Sequence, residues 1–190
     1  MDVHLESAEN MLGVALAAME SPGDRMIEAL DALPAAIYVT DAQGNVTHYN
    51  RACLALAGRT PQPGVDRWCV TWKLFTTDGD PLPHDACPMA VAIKERRNVR
   101  GAEAFAERPD GTRVRFQPFP TPLFAADGSL AGAINMLIDV TDMRRLDELR
   151  DQAARCRRLI KAPLDRRTLD TLTAMAEEYE EEADRLSRLH

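Results

Sequence analysis

The segment at residues 130–142 constrains the fold more than any other part of the chain. It is an apolar run with strand character, Leu-Ala-Gly-Ala-Ile-Asn-Met-Leu-Ile-Asp-Val-Thr-Asp, and a charged sequence with helical spacing follows it directly from Met143. Asp-Gly dipeptides at 110–111 and 127–128 are typical hairpin turns, because glycine tolerates positive φ angles. Residues 112–125 between them are therefore predicted to form one long strand, in a three-stranded antiparallel meander.

The first part of the chain predicts two helices and a hairpin. A helical stripe of Leu5, Ala8, Leu12, Ala15 and Met19 predicts an amphipathic helix within residues 1–22, and Ser21-Pro22-Gly23 stops it. A second helix is predicted from its cap, Asp24, to Pro34, carrying Met26, Ile27, Leu30 and Leu33. Residues 35–40 and 46–49 read as paired strands around a turn at 41–45.

We predict an α+β fold, a five-stranded antiparallel sheet with helices on one face. Asn50 is expected to cap a helix at 51–57, after the first two strands. The predicted division is an N-terminal amphipathic helix at residues 1–22, a domain at 24–142 and a C-terminal helical extension at 143–190. The extension has two helices with a break near 161–165.

Composition excludes several classes of protein. The chain has 190 residues, of which 45% are hydrophobic and 28% charged, and a net charge of -7. This allows one domain of about 110–130 residues with helical extensions. The negative charge disfavours nucleic-acid binding, and no apolar run reaches the roughly 18–20 residues of a membrane span. The four cysteines lack Cys-x-x-Cys spacing, so we expect neither a zinc site nor a disulfide framework, and we expect a cytoplasmic protein.

Four short motifs, in order, resemble those of PAS sensory domains. They are Ile37-Tyr-Val-Thr-Asp41, Tyr49-Asn50-Arg51-Ala52, the turn Arg108-Pro-Asp-Gly111 and the closing Asp139-Val-Thr-Asp142. The resemblance covers roughly residues 26–142. It implies a sensory or protein-interaction module, often dimeric, with a cavity between sheet and helices. It does not imply a particular ligand, since one fold hosts many sites.

Strand alternation divides the side chains of the last strand into two sets. Ala133, Asn135, Leu137 and Asp139 point one way, and the resemblance implies that they face the cavity. Ile134, Met136 and Ile138 point the other way and are strongly apolar. We therefore expect either the N-terminal helix or a second subunit to cover them, and we predict a homodimer.

The cavity could hold a cofactor or none. His84-Asp85 and Gly101 stand at the spacing of the oxygen-sensing haem branch, but Ala104 stands where that branch has an arginine. The resemblance thus leaves His84 as a haem-iron ligand, against the preferred alternative of a solvent-facing histidine in a proline-stiffened loop. Asn50-Arg-Ala-Cys53 resembles the flavin-binding motif only superficially, so we do not expect a bound flavin. Cys53 is predicted to be a small buried hydrophobe.

Trp68 and Trp72 precede the proline-rich loop and have two interpretations. They could clamp a planar ligand, or they could fill the core in place of one, which we prefer. The candidate cavity residues are Trp68, Trp72, Met89, Ile93, Asn135 and Leu137.

The tail from residue 143 predicts two amphipathic helices. Coiled-coil-like spacing relates Leu146, Leu149, Ala153, Cys156 and Ile160, and then Leu169, Leu172, Ala176, Tyr179, Ala183 and Leu186. Residues 143–167 contain nine basic and four acidic side chains, whereas residues 168–190 contain two basic and seven acidic ones. Opposite charge favours an antiparallel hairpin.

We therefore predict a PAS sensor or adaptor with output through the tail. Asp139 and Thr141 are the expected hand-off residues between sheet and tail, and Ile134, Met136, Ile138, Leu146 and Leu149 are the expected interface residues. A signalling protein is the expected partner of the helical extensions. No phosphate-binding glycine loop, His-Glu-x-x-His helix or Gly-x-Ser-x-Gly elbow is present, so we do not expect an enzyme. Cys87 as nucleophile with His84 as its base is only a weak catalytic candidate, because no third orienting group is visible.

Overall fold

The computed structural model describes residues 3–20, 23–163 and 165–188 of the chain. Its helices are α1 (Val3–Ala18), α2 (Asp24–Asp31), α3 (Ala52–Ala57), α4 (Pro88–Glu95), α5 (Thr141–Leu159) and α6 (Arg166–Ser187). Its strands are β1 (Ala36–Asp41), β2 (Val46–Tyr49), β3 (Lys73–Phe75), β4 (Ala104–Glu107), β5 (Arg113–Pro118), β6 (Thr121–Phe124) and β7 (Leu130–Asp139). The predicted α+β class is confirmed.

The strands form one antiparallel sheet with β7 near its centre. The main path is β2-β1-β7-β5-β4-β3, and β6 pairs with β7 as well. Both predicted hairpins are present, and Gly111 and Gly128 have φ angles of 85° and 79°. On β1, Tyr38 lies opposite Asn135 of β7. The first and last strands of the predicted domain are therefore neighbours.

The predicted number of five strands is too small for two local reasons. β5 and the start of β6 pair with β7 in the same register, but Pro118 and Pro120 cannot donate ladder hydrogen bonds. The long strand predicted at 112–125 is therefore interrupted between β5 and β6. In addition, β3 pairs with the free edge of β4, in a segment for which no strand was predicted.

One face of the sheet packs against α3 and α4. Leu56 of α3 and Met89 and Ile93 of α4 belong to the same buried cluster as the sheet residues Ala133 and Leu137. This is the face predicted from strand alternation. Because these side chains are in contact and almost fully buried, the space between sheet and helices is occupied by a packed core.

The other face of the sheet is covered by α1 and α2. Ile134 and Met136 are 0% exposed, and Ala8, Leu12 and Ala15 of the predicted α1 stripe share their cluster. The N-terminal helix, one of the two expected covers for this face of the sheet, is therefore the one that the structure shows. The side chain of Leu5, also assigned to the stripe, lies outside the described part.

Asn50 does not cap α3, contrary to the prediction. The helix starts two residues later, and its N-cap residue makes no side-chain cap bond. Asn50 Oδ1 instead accepts from the backbone nitrogen of Ile37 at 2.8 Å, and Nδ2 donates to the carbonyls of Leu30 at 2.9 Å and Ala35 at 2.8 Å. These backbone groups lie in the connection between α2 and β1, where buried N–H and C=O groups need hydrogen-bond partners. The buried amide therefore joins three segments.

Helices α5 and α6 pack together as an antiparallel hairpin. Arg145 near the start of α5 contacts Glu182 near the end of α6 at 3.1 Å, and Arg157 contacts Glu180 at 2.7 Å. The buried residues of the two helices are Leu149, Ala153, Cys156, Ala176 and Ala183. The other leucines of the two predicted apolar stripes are half-buried: Leu146, Leu169, Leu172 and Leu186. Asp165 caps α6 by accepting from the Thr168 nitrogen at 3.0 Å.

The chain divides into two compact units, Met1–Asp139 and Val140–His190. The predicted boundary at 142 lies slightly later, because α5 begins at Thr141 and not at Met143. Helix α2 starts at Asp24, but Gly23 and not Asp24 occupies its N-cap position. The expected stop at Ser21-Pro22 falls outside the described residues. In the part of the chain that the structure describes, no helix has the length and apolar character needed to cross a bilayer.

Candidate functional site

A pocket of about 580 Å³ lies between the loop that follows α3 and the 3₁₀ turn His84–Ala86. We call it the loop pocket. Trp68 and Trp72 line it together with Arg59, Asp66 and His84. Volumes in the range of about 300–1,000 Å³ are typical of small-molecule sites.

An ion pair between Arg59 and Asp66 fixes one wall of the loop pocket. Arg59 Nη2 donates to both carboxylate oxygens at 2.8 Å, and Nη1 donates to the carbonyl of Val70 at 3.1 Å. Asp66 Oδ2 also accepts from the backbone nitrogen of Gln62 at 2.7 Å. A guanidinium bound to three acceptors, two of them on a carboxylate, has a restricted orientation. The wall is therefore preformed.

Trp68 is held against the turn between β1 and β2. Its backbone nitrogen donates to the carbonyl of Gly44 at 2.7 Å. A Cβ at Gly44 would meet the indole ring at 2.2 Å, so only glycine fits there. Trp68 itself has a φ angle of 69°, which is uncommon for a residue with a side chain. The surrounding packing therefore holds Trp68 in a strained conformation.

Three cationic side chains lie over the two indole rings. Arg67 Cζ is 4.6 Å and Lys94 Nζ is 5.5 Å from the ring centroid of Trp68, and Lys73 Nζ is 4.1 Å from that of Trp72. Cations are attracted to the negative face of an aromatic ring. The aromatic wall of the loop pocket is therefore surrounded by positive charge.

His84 is half-buried, so the preferred expectation of a solvent-facing histidine is wrong. Its Nε2 atom is buried without a hydrogen-bond partner among the described residues. Burial lowers the pKa of His84, Arg59 lowers it further, and Asp66 and Asp85 oppose this. The imidazole is therefore mainly neutral at pH 7. No group of three His, Cys, Asp or Glu residues within the described ranges is arranged to hold a metal ion.

A chain of hydrogen bonds connects β7 to the wall of the loop pocket. Asn135 Oδ1 accepts from the backbone nitrogen of Phe119 at 3.0 Å, and Nδ2 donates to the Tyr38 hydroxyl at 3.0 Å. That hydroxyl donates to the carbonyl of Trp68 at 2.9 Å. Burial raises the pKa of Tyr38 well above its ordinary value, so the hydroxyl stays a neutral donor. A movement of Trp68 would therefore reach β7 through two side chains.

The structure does not bring the six cavity candidates into one cavity. Trp68 and Trp72 line the loop pocket, whereas Met89, Ile93 and Asn135 are buried in the core. Leu137 lines a separate cleft of about 370 Å³, which also includes Ile138 and Asp139. Trp68 packs partly against the core, but Trp72 is 44% exposed. The preferred interpretation that the two indoles fill the core is therefore wrong for Trp72.

The core thiols are poor nucleophiles. Burial raises the pKa values of Cys53 and Cys87 to about 12, so both stay protonated at neutral pH. Cys53 Sγ donates to the carbonyl of Ile37 at 3.2 Å. Cys87 occupies the N-cap position of α4, with Pro88 in the first turn, and its Sγ lies 3.8 Å from the carbonyl of Trp68.

The hand-off residues flank the connection between the two units. Asp139 ends β7, Thr141 begins α5, and only Val140 lies between them. The N-cap position of α5 makes no side-chain cap bond. Among the expected interface residues, Ile134 and Met136 lie in the cluster with α1 and Ile138 packs against it, while Leu149 is buried and Leu146 half-buried.

Sequence reasoning missed the Arg59–Asp66 pair and the role of Tyr38. The paired residues are seven positions apart in a loop without periodic pattern, so no spacing indicates their contact. Tyr38 carried a usable signal. Once β1 is paired with β7, strand alternation places Tyr38 on the same face as Asn135.

Comparisons with known proteins identify the fold. The family model described as the PAS fold matches residues 30–145. A light-oxygen-voltage domain solved with a flavin analogue is similar, with a TM-score of 0.50 and 15% identity over 73% of this chain and 98% of that chain. The Rhodobacter sphaeroides LOV protein gives 0.48 and 12%, over 92% of this chain and 97% of that one.

A further similar structure is the PAS domain of a Colwellia psychrerythraea protein. It has a TM-score of 0.44 and 21% identity, over 60% of this chain and 92% of that chain. No curated protein matches the chain. At these identities, structural likeness speaks to the fold alone.

Proposed function

The chain belongs to the PAS fold family, and we propose on that premise that it is a cytoplasmic sensory or adaptor protein without catalytic activity, with α5 and α6 as its output element. The family indicates a sensory or signalling role. The observation that carries the proposal is the junction of a single residue, Val140, between β7 and α5. Because β7 also carries Asn135 of the hydrogen-bond chain, a shift at the loop pocket is passed towards the start of α5.

The state of the candidate nucleophile supports a role without catalysis. Cys87 is protonated, and its Sγ approaches the carbonyl of Trp68, so His84 does not activate it. A cytoplasmic location is supported by the four free cysteines, all of them buried, since thiols persist in reducing compartments.

A homodimer that binds a signalling partner through its helices is part of the proposal. Leu159 of α5 is 50% exposed and Met175 of α6 is 37% exposed, so apolar surface remains on the hairpin for a second chain. Native mass spectrometry of the purified chain measures this directly. We expect a dimer, and a monomer at all concentrations would contradict the proposal.

Haem sensing through His84 is the second candidate, and its unpartnered Nε2 is the observation that favours it. The packed core between sheet and helices favours sensing without haem. A visible absorption spectrum separates the two. We expect no Soret band after haem is added to the purified protein, and a band lost in His84→Ala would establish haem binding.

Thr141→Ala tests the junction. A threonine in the first turn can accept hydrogen bonds from free backbone N–H groups, so its loss should loosen the start of α5 by about 0.5–2 kcal/mol. We expect faster hydrogen exchange in α5 with unchanged denaturation of the PAS unit, Met1–Asp139. Thr171→Ala, at an exposed position of α6, is the control. Equal α5 protection in Thr141→Ala and wild type would show that Thr141 does not hold the junction.

A further inference from the structure

The hairpin of α5 and α6 has a front face that exposes large apolar side chains. We define this face by the contact of Arg145 with Glu182, which joins the two helices at 3.1 Å. Leu159 follows Arg145 by 14 residues and Met175 precedes Glu182 by seven, so whole heptads place both on this side of the hairpin. Leu159 is 50% exposed and Met175 is 37% exposed. The front face therefore leaves apolar surface in contact with water.

The back face of the hairpin has small side chains instead. It carries the contact of Arg157 with Glu180 and a groove of about 320 Å³. Ala154 lines this groove and follows Arg145 by nine residues, or two and a half turns, so the two lie on opposite sides of α5. Burial of a large apolar side chain is more favourable than burial of an alanine. Apolar association through the hairpin therefore uses the front face.

The charge of the hairpin changes sign along its length. The tip half, residues 152–163 and 165–176, has six basic and two acidic side chains, a net charge of +4. The base half, residues 141–151 and 177–188, has five basic and ten acidic ones, a net charge of -5. Six exposed side chains form no ion pair among the described residues: Arg155, Arg158 and Lys161 in the tip half, and Glu178, Glu181 and Asp184 in the base half. These charges are available to a second molecule.

We infer that the front face binds the front face of a second copy of the chain, and that the two hairpins run antiparallel. In this orientation the tip half of each hairpin, at +4, lies beside the base half of the other, at -5, so both contacts are attractive. The parallel orientation brings like charges together at both ends. Charge complementarity sets orientation more than affinity, so the apolar stripe supplies most of the binding. The inference names the interface of the proposed homodimer and rests on that proposal.

Sedimentation velocity of the full chain with reversed charges tests the orientation. A tip variant has glutamate at Arg155, Arg158 and Lys161, and a base variant has lysine at Glu178, Glu181 and Asp184. Each variant alone places like charges together in the antiparallel dimer, so we expect the dimer Kd to rise about tenfold or more. Combining all six changes makes the halves opposite in sign again and should restore the dimer. A parallel dimer predicts neither the loss nor the rescue.

Two controls separate charge and apolar contact from damage to the hairpin. Arg155→Lys, Arg158→Lys and Lys161→Arg together keep every charge of the tip half, and should leave the Kd unchanged. Leu159→Gln on the front face should raise the Kd about tenfold, whereas Ala154→Gln on the back face should not change it. Circular dichroism should show equal helix content in every variant, because all these positions are exposed.

Three results would each overturn the inference. They are a tip variant that dimerises as tightly as wild type, a combined variant no tighter than the tip variant, and equal effects of Leu159→Gln and Ala154→Gln. The homodimer would then stand but use another surface. Failure of the proposed function looks different, because the wild-type chain would be a monomer at every concentration. That result contradicts the homodimer and, with it, the interface inferred for it.

Discussion

Replacing Met136 by glutamate is expected to detach α1 from the sheet and to lower the free energy of unfolding of the PAS unit by about 3 kcal/mol or more. Met136 is 0% exposed and lies opposite Ile37 in the centre of the sheet. Its cluster contains apolar side chains from α1 and α2, including Leu12 and Leu30. A carboxylate there has no cationic partner in the cluster, so it forces the helix away or takes up a proton.

Hydrogen exchange in α1 and urea denaturation followed by tryptophan fluorescence measure this effect. Both tryptophans lie in the PAS unit, so the fluorescence reports that unit without the tail. Leu54→Glu, which places the same charge at an α3 position that is 38% exposed, should change stability by less than about 0.5 kcal/mol. Unchanged exchange, stability and sedimentation in Met136→Glu would show that this face holds neither α1 nor a second subunit.

Elements with a regular period were predictable from the sequence. Alternation along β7 gave both faces of the sheet, and the three-four spacing of Ala8, Leu12 and Ala15 gave the buried stripe of α1. Asp-Gly dipeptides gave both turns of the meander, since few other residues adopt the required φ angles. In each case the signal is local, because the period of the backbone alone decides which side chains share a face.

The loop pocket was not predictable, because its geometry depends on contacts across the fold. The four-residue spacing of Trp68 and Trp72 would place both indoles on one face only in a helix, but Trp68 adopts a positive φ angle against Gly44, and Trp72 precedes a strand. Charge segregation in the tail similarly indicated a hairpin but not its pairs. Arg155, Arg157 and Arg158 are all exposed, and of these Arg157 contacts Glu180. Such choices follow from tertiary packing, which a single sequence does not display.

Asn50 shows how a local rule can fail when a tertiary demand is stronger. Asparagine before a helix is a typical N-cap, and capping stabilises by about 0.5–2 kcal/mol. Here the side chain is 1% exposed and serves Ile37, Leu30 and Ala35 instead. The free energy at stake is larger, since an unsatisfied buried polar group costs about 1–3 kcal/mol.

We therefore expect Asn50→Ala to lower the free energy of unfolding of the PAS unit by about 2–3 kcal/mol. The Ile37 N–H and the Ala35 carbonyl lose the partner that Asn50 supplies, whereas the Leu30 carbonyl still accepts from the Leu33 nitrogen at 3.2 Å. Asn45→Ala is the matched control in the same hairpin. Asn45 is only half-buried, and its side chain donates to Asp41 Oδ2 at 2.8 Å, so its loss should cost about 1 kcal/mol.

Urea denaturation followed by tryptophan fluorescence compares the two variants. The larger loss in Asn50→Ala should come with faster hydrogen exchange at the Ile37 amide, because that N–H donates to the lost Oδ1. Equal denaturation midpoints in the two variants would mean that water satisfies the freed backbone groups as well as Asn50 does. The junction between α2 and β1 would then be held by the apolar contacts of Leu30 and Ile37 and not by this amide.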